Sequence, residues 1–361
     1  MDIKLFSLCN QDSQEAEKGK EYILGCVKDY FPECGDFNEF TSQKRMLVAI
    51  SQSLLAADIV LVAVQSTMYN ATKRLLSSAL DIPTKANEEV SAVLSGRPKA
   101  KQLKPNLYTA AVTFPETSVV LPTSDYLNCG FAITSGGQHI IYMPVEEEKA
   151  QQIVLGSLYD YFAELSEPYT VSNALKNRHR KLIDKAVKKL NDESTRVAVV
   201  GNDSADYLVS FLSKDDRSVF TIDINYEFPD VDNDVRELAV TFARNVREAN
   251  RTEIGVYISD PFVTNDESEA VCAYIAIANS EGIKTYKMFM EDGETTKDLL
   301  KACADKLLLI LSGCEQMGDN DEESEDERKA DKDFKGILGI IASAAVLAAS
   351  IAGFVTALIL R

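Results

Sequence analysis

The sequence is short of the residues on which many metal and hydrolase sites depend. Only two histidines, His139 and His179, occur in 361 residues, and neither has a partner at a useful spacing. This argues against a histidine-ligated metal site and against a serine–histidine–aspartate triad. The seven cysteines include no C-x-x-C pair and form no even framework. We interpret them as reduced, mostly buried thiols of a cytosolic protein.

Positive charge is also scarce. The chain has 38 Lys and Arg against 56 Asp and Glu, which gives a formal net charge of −18. A surface of this sign repels nucleic acid, so a general nucleic-acid binder is disfavoured. The start, MDIKLFSL, has no basic flank and no long apolar core. It is therefore interpreted as a first strand and not as a signal peptide.

A long run without charge does occur at the other end, from Gly336 to Leu360. In a helix its 25 residues would extend about 37 Å, which is enough to cross a bilayer core. Four basic residues precede this run and only Arg361 follows it: Arg328, Lys329, Lys332 and Lys335. The pattern predicts a single-pass, tail-anchored membrane protein with its bulk in the cytoplasm. A buried core helix is the alternative.

Ahead of that run, residues 317–335 are rich in charge and poor in apolar side chains. Such a segment cannot bury enough surface to fold, and it is predicted to be a disordered acidic tether. Binding of a basic partner is the alternative interpretation.

The rest of the chain predicts two α/β domains. Short apolar runs alternate with amphipathic stretches through residues 1–165, and the same pattern begins again over residues 195–316. Residues 166–194 are predicted to form a basic linker helix, which packs its apolar face between the domains and leaves its cations in water. Contact of those cations with a phosphate, a membrane face or an acidic surface of a partner is the alternative. The predicted fold class is therefore α/β, with two α/β domains followed by a C-terminal transmembrane helix.

The segment FPETSVVLPTSDYLNCGFAITSGGQHIIYMPVEEE begins at Phe114. Its order of Pro115, Asn128, Gly130 and Pro144 resembles the molybdopterin-binding-type domain of the competence- and damage-inducible protein A family. The second body, through DVRELAVTFARNVREANRTEIGVYISDPF, resembles that family's C-terminal nicotinamide-nucleotide amidase domain. The resemblance implies self-association and a nucleotide ligand.

The loops that carry the family's chemistry are changed in this sequence. DIVLVAVQSTMYNAT, from Asp58 to Thr72, stands where the family has paired glycines, Gly-Pro and an Asp pair. Side chains in such a turn keep the backbone from closing on a phosphate. Thr67 and Asn70 remain as side-chain candidates for ligand binding, together with the matching Asn128 and Gly130.

The amidase loops are changed as well. Gly201, Asn202 and Asp203 stand at the family's Glu-Ser-Cys, so Ser204 is the nearest hydroxyl and the one candidate nucleophile. No activating Lys or His is evident within that segment. Asn202 and Asp260 are the candidate ligand-binding residues of this domain.

A calcium loop is disfavoured at DVDND, residues 230–234, because Val235 replaces the turn glycine. No metal and no cofactor is predicted.

These observations predict a degenerate member of the family, tethered to a membrane, catalytically inactive, and acting as a nucleotide-sensing or partner-binding module. The alternative is an active hydrolase of pyridine nucleotides, by nicotinamide mononucleotide deamidation, or of ADP-ribose, with a rearranged site. Expected partners are the membrane, a nucleotide and further copies of the chain, without nucleic acid.

Overall fold

A computed structural model describes residues 1–10, 13–97, 102–201, 203–212, 216–223, 235–263, 270–291 and 293–315. Backbone contacts divide the chain into two compact units, with the boundary between Leu175 and Lys176.

The first unit contains a six-stranded sheet and a separate two-stranded one. Its strands are β1 Ile3–Leu8, β2 Asn38–Phe40, β3 Ile59–Val64, β4 Thr84–Ala86, β5 Thr113–Pro115, β6 Ser118–Leu121, β7 Gly130–Ser135 and β8 Gln138–Pro144. Its helices are α1 Gln14–Tyr30, α2 Gln43–Ser53, α3 Ser66–Ala79, α4 Glu88–Gly96, α5 Pro105–Val112, α6 Glu147–Ile153 and α7 Tyr159–Glu164. A π-helical turn, Val154–Leu158, joins α6 to α7.

The large sheet has the order β2-β1-β3-β8-β7-β6. The first four strands are parallel, and β7 and β6 are antiparallel additions. All six residues of β3 are buried, because parallel strands are covered by helices on both faces. From β1 the chain passes to β2 on one side and returns to β3 on the other, so the strand order reverses between β1 and β3.

Helices cover the two faces of this sheet. One face packs against α2, α3, α4 and α5 through a core that includes Val62, Tyr69 and Tyr142. On the other side α1 packs against α6 and α7. Gly19 of α1 lies so close to the end of β8 that an added Cβ would be 1.7 Å from the Val145 carbonyl oxygen. Only glycine fits this contact.

The second unit is built on a mixed sheet of order β10-β9-β11-β13-β12, and β14 also pairs with β13. Its strands are β9 Val197–Val200, β10 Phe220–Asp223, β11 Ile254–Ile258, β12 Phe262–Val263, β13 Val271–Ala278 and β14 Ile283–Phe289. Its helices are α9 Asp203–Phe211, α10 Val235–Asn250 and α11 Thr296–Leu311. The helix α8, Pro168–Asp192, contains the boundary between the units.

The basic helix differs in one respect from its prediction. Leu182, Ile183 and Leu190 of α8 are buried, and so are two polar residues, Arg178 and His179. Not every cation of this helix therefore lies in water. For His179 the reason is a carboxylate partner within the second unit, Asp305 of α11.

The predicted transmembrane helix requires a correction. Among the residues that the structure describes, no helix combines the length and the apolar character needed to cross a membrane. The longest of them, α8, is interrupted by charged side chains along its length. Residues 317–335 and 336–360, the predicted tether and span, lie outside the described residues. The fold class is corrected to two α/β units, and the tail anchor, membrane partner and single-pass localisation are withdrawn.

Candidate functional site

The strand order of the first unit points to one edge of its sheet. In open α/β folds, ligands bind at the carboxyl ends of the strands, where the strand order reverses. Here those ends are Leu8 of β1 and Val64 of β3, with Pro144 of β8 beside Val64 in register. The segments that follow these three residues form the candidate site.

The α3 helix begins at this edge and meets a carboxylate of the chain itself. Its first backbone N–H group, that of Ser66, donates to Oε1 of Glu146 at 2.5 Å. Glu146 directly precedes α6 and follows the end of β8. A helix N-terminus is a favourable place for an anion because its N–H groups are free and its dipole is positive there. At α3 that place is taken by Glu146.

A second backbone donor at this edge is also occupied from within the chain. The N–H group of Asn10, after β1, donates to Oε1 of Gln65 at 2.9 Å. Gln65 is the N-cap residue of α3, and its own N–H group donates to the Leu8 carbonyl at 2.9 Å. In a glycine-rich turn this position has no side chain. Here the Gln65 side chain bridges the loops after β1 and β3.

Polar side chains complete the edge. The Asn128 amide lies 3.3 Å from the Ser66 hydroxyl, and with its oxygen directed toward Lys149 it accepts from Nζ at 2.7 Å. Lys149 in turn lies 3.9 Å from a carboxylate oxygen of Asp125. The positive charge at this edge is therefore already paired with groups of the same chain.

The predicted ligand-binding residues of this unit lie in different surroundings. Asn128 contacts the α3 start, as described. Thr67 is exposed in the first turn of α3, and Asn70 follows one turn later with Oδ1 buried and without a donor among the described residues. Gly130 lies within β7, where a Cβ would be 2.8 Å from the Tyr142 carbonyl oxygen. That glycine is required by packing within the sheet.

The α3 helix also carries a buried lysine into the core. The Lys73 side chain is nearly inaccessible, with the residue 4% exposed, and Nζ donates to the Ala110 carbonyl at 2.7 Å. Nζ lies 4.3 Å from the centre of the Phe114 ring. Burial lowers the pKa of Lys73 to about 8. No carboxylate within the described part of the chain pairs with it.

Of the candidate residues predicted in the second unit, the structure describes two. Ser204 lies in the first turn of α9, and Asn202 lies outside the described residues. Asp260 is exposed after β11, and its carbonyl oxygen accepts from the Ser259 hydroxyl at 3.0 Å. Residues 230–234, considered for calcium, are also outside the described residues.

One polar cluster of the second unit was missed by the sequence analysis. His179 of α8 is buried, and its Nε2 forms a short contact with Oδ1 of Asp305 on α11. The Tyr207 hydroxyl of α9 lies 3.5 Å from the same nitrogen. Burial, together with Asp305 and then Asp298, raises the pKa of Tyr207 to about 12. The cluster joins three helices, and no sequence spacing could have revealed it.

Comparisons with known proteins give structural neighbours only. No family model and no curated protein matches the chain. The structure of a CinA protein from Thermoplasma acidophilum is 11% identical in sequence, with a TM-score of 0.35. The match covers 44% of this chain and 98% of the Thermoplasma chain. A competence or damage-inducible protein from Enterobacter asburiae has 14% identity and a TM-score of 0.30, covering 37% and 98%. The competence damage-inducible protein A from Klebsiella pneumoniae has 12% identity and a TM-score of 0.32, covering 37% and 94%.

The neighbours are thus competence- or damage-inducible proteins. Similarity at this level establishes neither an activity nor a ligand for the chain. The two domain types and the loss of catalysis stay predictions.

Proposed function

We propose that this chain is a non-catalytic, partner-binding α/β protein. The observation that carries the proposal is the hydrogen bond from the Ser66 N–H group to the Glu146 carboxylate. It fills the anion position at the start of α3 with a group that the chain supplies itself.

A phosphate at the α3 start would have to displace Glu146 or share its place. Two unit charges 4 Å apart repel by about 1 kcal/mol in bulk water and by about 4 kcal/mol near a protein surface. The turn also lacks glycine, so the Gln65 side chain stands where a backbone would approach a phosphate. The loss of both features that hold phosphates favours a protein partner over a nucleotide.

Nucleotide sensing or hydrolysis is the competing function. It would require Ser204, or the Thr67 and Asn70 turn, to act without the glycines of the related loops. The buried His179 is a possible general base, but its Nε2 contacts Asp305 and Tyr207. Among the described residues, no base forms a hydrogen bond with a candidate nucleophile.

The experiment uses the full chain and three nucleotides: nicotinamide mononucleotide, ADP-ribose and nicotinamide-adenine dinucleotide. Titration calorimetry measures the heat of nucleotide binding, and chromatography of the same samples detects hydrolysis products. For all three nucleotides we expect no binding heat and no hydrolysis product. Glu146→Ala frees the Ser66 N–H group and should bind inorganic phosphate more tightly than the parent chain does. Glu116→Ala removes the same charge at an exposed position and serves as the control.

Turnover that disappears in Ser204→Ala or Asn70→Ala would contradict the proposal and locate the chemistry. Nucleotide binding without turnover would also contradict the proposal and would instead support a nucleotide-sensing function. Self-association stays a prediction, which sedimentation of the full chain tests.

A further inference from the structure

Four lysines form a positively charged stripe on the second half of α8. Lys181, Lys185 and Lys189 recur every four residues, so they lie on one face of the helix, and Lys188 is next to them. We call these four residues the basic stripe. Lys188 is exposed, and the other three are half-buried. All four belong to the second unit, in a chain whose net charge is −18.

The last turn of the basic stripe has charge that the described residues do not neutralise. Lys188 and Lys189 form no ion pair with a carboxylate in the described part of the chain, although Asp192 follows Lys188 by one turn. Asp184, which lies within the same stretch of α8, is paired with Arg180 at 2.7 Å. The charge of Lys188 and Lys189 is therefore available to a group of opposite sign.

Two contacts show that α11 runs beside α8 in the same direction. His179 of α8 contacts Oδ1 of Asp305 on α11 through Nε2. Further along both helices, Lys189 lies against Gly313, where an added Cβ would be 3.0 Å from Nζ. Because both contacts advance toward the carboxyl ends, the two helices end close together.

The described chain stops beside the basic stripe. Burial raises the pKa of the Cys314 thiol, and the charges of Lys185 and Lys189 are among those that oppose this shift because they lie nearby. Glu315 is the last residue described, and its carboxylate pairs with Lys306 at 2.5 Å. The sequence that follows Glu315 therefore begins next to Lys189.

That following sequence is strongly acidic. Only residues 316–318 separate Glu315 from residues 319–327, of which seven are Asp or Glu and none is Lys or Arg. An extended chain covers at most about 14 Å in the four steps from Glu315 to Asp319. Residues 181–189 extend over about 12 Å of helix. The acidic residues thus begin within reach of the basic stripe, and a short linker gives them a millimolar effective concentration there.

We propose that residues 319–327 bind the basic stripe of the same chain and cover it. Opposite charge and the point at which the described chain stops both favour this occupant. A second copy carries the same net charge of −18, so contact between chains is opposed by their overall repulsion. The inference goes beyond the proposed function: an acidic partner that uses the basic stripe has to displace residues 319–327 first.

The first test measures access to the lysines in the full chain. The parent is compared with a variant in which every Asp and Glu of residues 319–327 is replaced by Asn or Gln. Both are treated briefly with an acetylating reagent, and mass spectrometry measures the reaction at each lysine. We expect Lys188 and Lys189 to react at least about threefold more slowly in the parent. Lys297, exposed at the opposite end of α11, is the internal control and should react equally in both.

Salt provides a second control on the same samples. At about 0.01 M salt the Debye length is about 30 Å, and at about 1 M it is about 3 Å. The protection of Lys188 and Lys189 should therefore be present at low salt and disappear at high salt. Circular dichroism and the melting temperature of each variant exclude unfolding as the cause.

Carbodiimide cross-linking identifies the partners of the contact. It joins carboxylates to amines that lie close together, and a mixture of unlabelled and nitrogen-15-labelled full chains shows whether a link joins one chain or two. We expect links from residues 319–327 to Lys188 or Lys189 within one chain. Lys188→Gln with Lys189→Gln should remove them, whereas Lys44→Gln with Lys297→Gln, at exposed lysines elsewhere, should leave them unchanged.

The proposal is overturned if Lys188 and Lys189 react equally in the parent and the neutralised variant, or if their protection persists at high salt. It is also overturned if the cross-links join different chains, which would make the basic stripe a self-contact, or if they form equally with the control lysines. None of these results depends on nucleotides. Failure here is therefore distinguishable from failure of the proposed function, which would show as nucleotide binding or turnover.

Discussion

Replacing Lys73 by methionine should stabilise the protein at neutral pH. The ammonium group lies in the core of the first unit, held by the Ala110 carbonyl and the Phe114 ring. Burial lowers its pKa from 10.5 to about 8, so at pH 7 the folded chain keeps a charged amine in apolar surroundings. Methionine has a similar length and no charge.

The size and the sign of the effect follow from proton linkage. Lowering the pKa of Lys73 from 10.5 to about 8 corresponds to about 3 kcal/mol of lost stability at pH 7. Between about pH 8 and 10.5 the unfolded chain holds the proton and the folded chain does not. The free energy of unfolding therefore rises with pH in this window. By pH 10 the destabilisation caused by the Lys73 charge is about 2 kcal/mol smaller than at pH 7. Below pH 8 both states hold the proton and the cost is constant.

The assay is chemical denaturation of the parent chain and Lys73→Met at several pH values between 7 and 10. We expect Lys73→Met to be about 1–2 kcal/mol more stable at pH 7, since the unpaired Ala110 carbonyl offsets part of the gain. This advantage should disappear toward pH 10. Lys85→Met, which removes an exposed lysine, should show neither effect. A difference between Lys73→Met and the parent that stays constant from pH 7 to 10 would refute the reasoning.

Two further predictions concern the same unit. Gly19→Ala should cost at least about 2 kcal/mol in urea denaturation because its Cβ would overlap the Val145 carbonyl, whereas Gly35→Ala meets nothing within 4 Å and should be nearly neutral; equal losses would contradict this account. Burial lowers the pKa of His139, which lies 2.8 Å from the Tyr161 hydroxyl, so the parent should lose stability below pH 6.5 relative to His139→Gln. Parallel stability curves from pH 7 to 5 would show that His139 is not responsible.

Much of the fold follows from local patterns. The amphipathic stretch from about Ser13 to Tyr30 is typical of a helix, and the structure has α1 at Gln14–Tyr30 with the Ser13 hydroxyl accepting from the Ala16 N–H group at 3.3 Å. The uninterrupted apolar run Ile59–Val64 is likewise typical of a buried strand, and it forms β3. Short exposed elements have no run or periodic pattern of apolar residues by which the sequence could predict them. The strands β2 and β4 have three residues each, and no buried residue marks them.

The candidate site was predictable only in part. The glycine-free turn at Gln65 is visible in the sequence, and it directs attention to the start of α3. Its occupant was not visible, because Glu146 is 80 residues away. The contact depends on the parallel register that sets Val64 beside Pro144. The sequence also does not indicate which of the three successive glutamates, residues 146–148, contacts α3. The pairing of His179 with Asp305 depends on helix packing in the same way.

The Ser66–Glu146 hydrogen bond links helices that belong to opposite layers of the first unit. It joins the first residue of α3, packed on one face of the sheet, to the residue before α6, which packs with α1 on the other. Slow hydrogen exchange at the Ser66 amide therefore requires both layers to stay in place. A partner that shifts α3 would expose this amide and loosen the α6 start, so one exchange rate reports on both faces of the sheet.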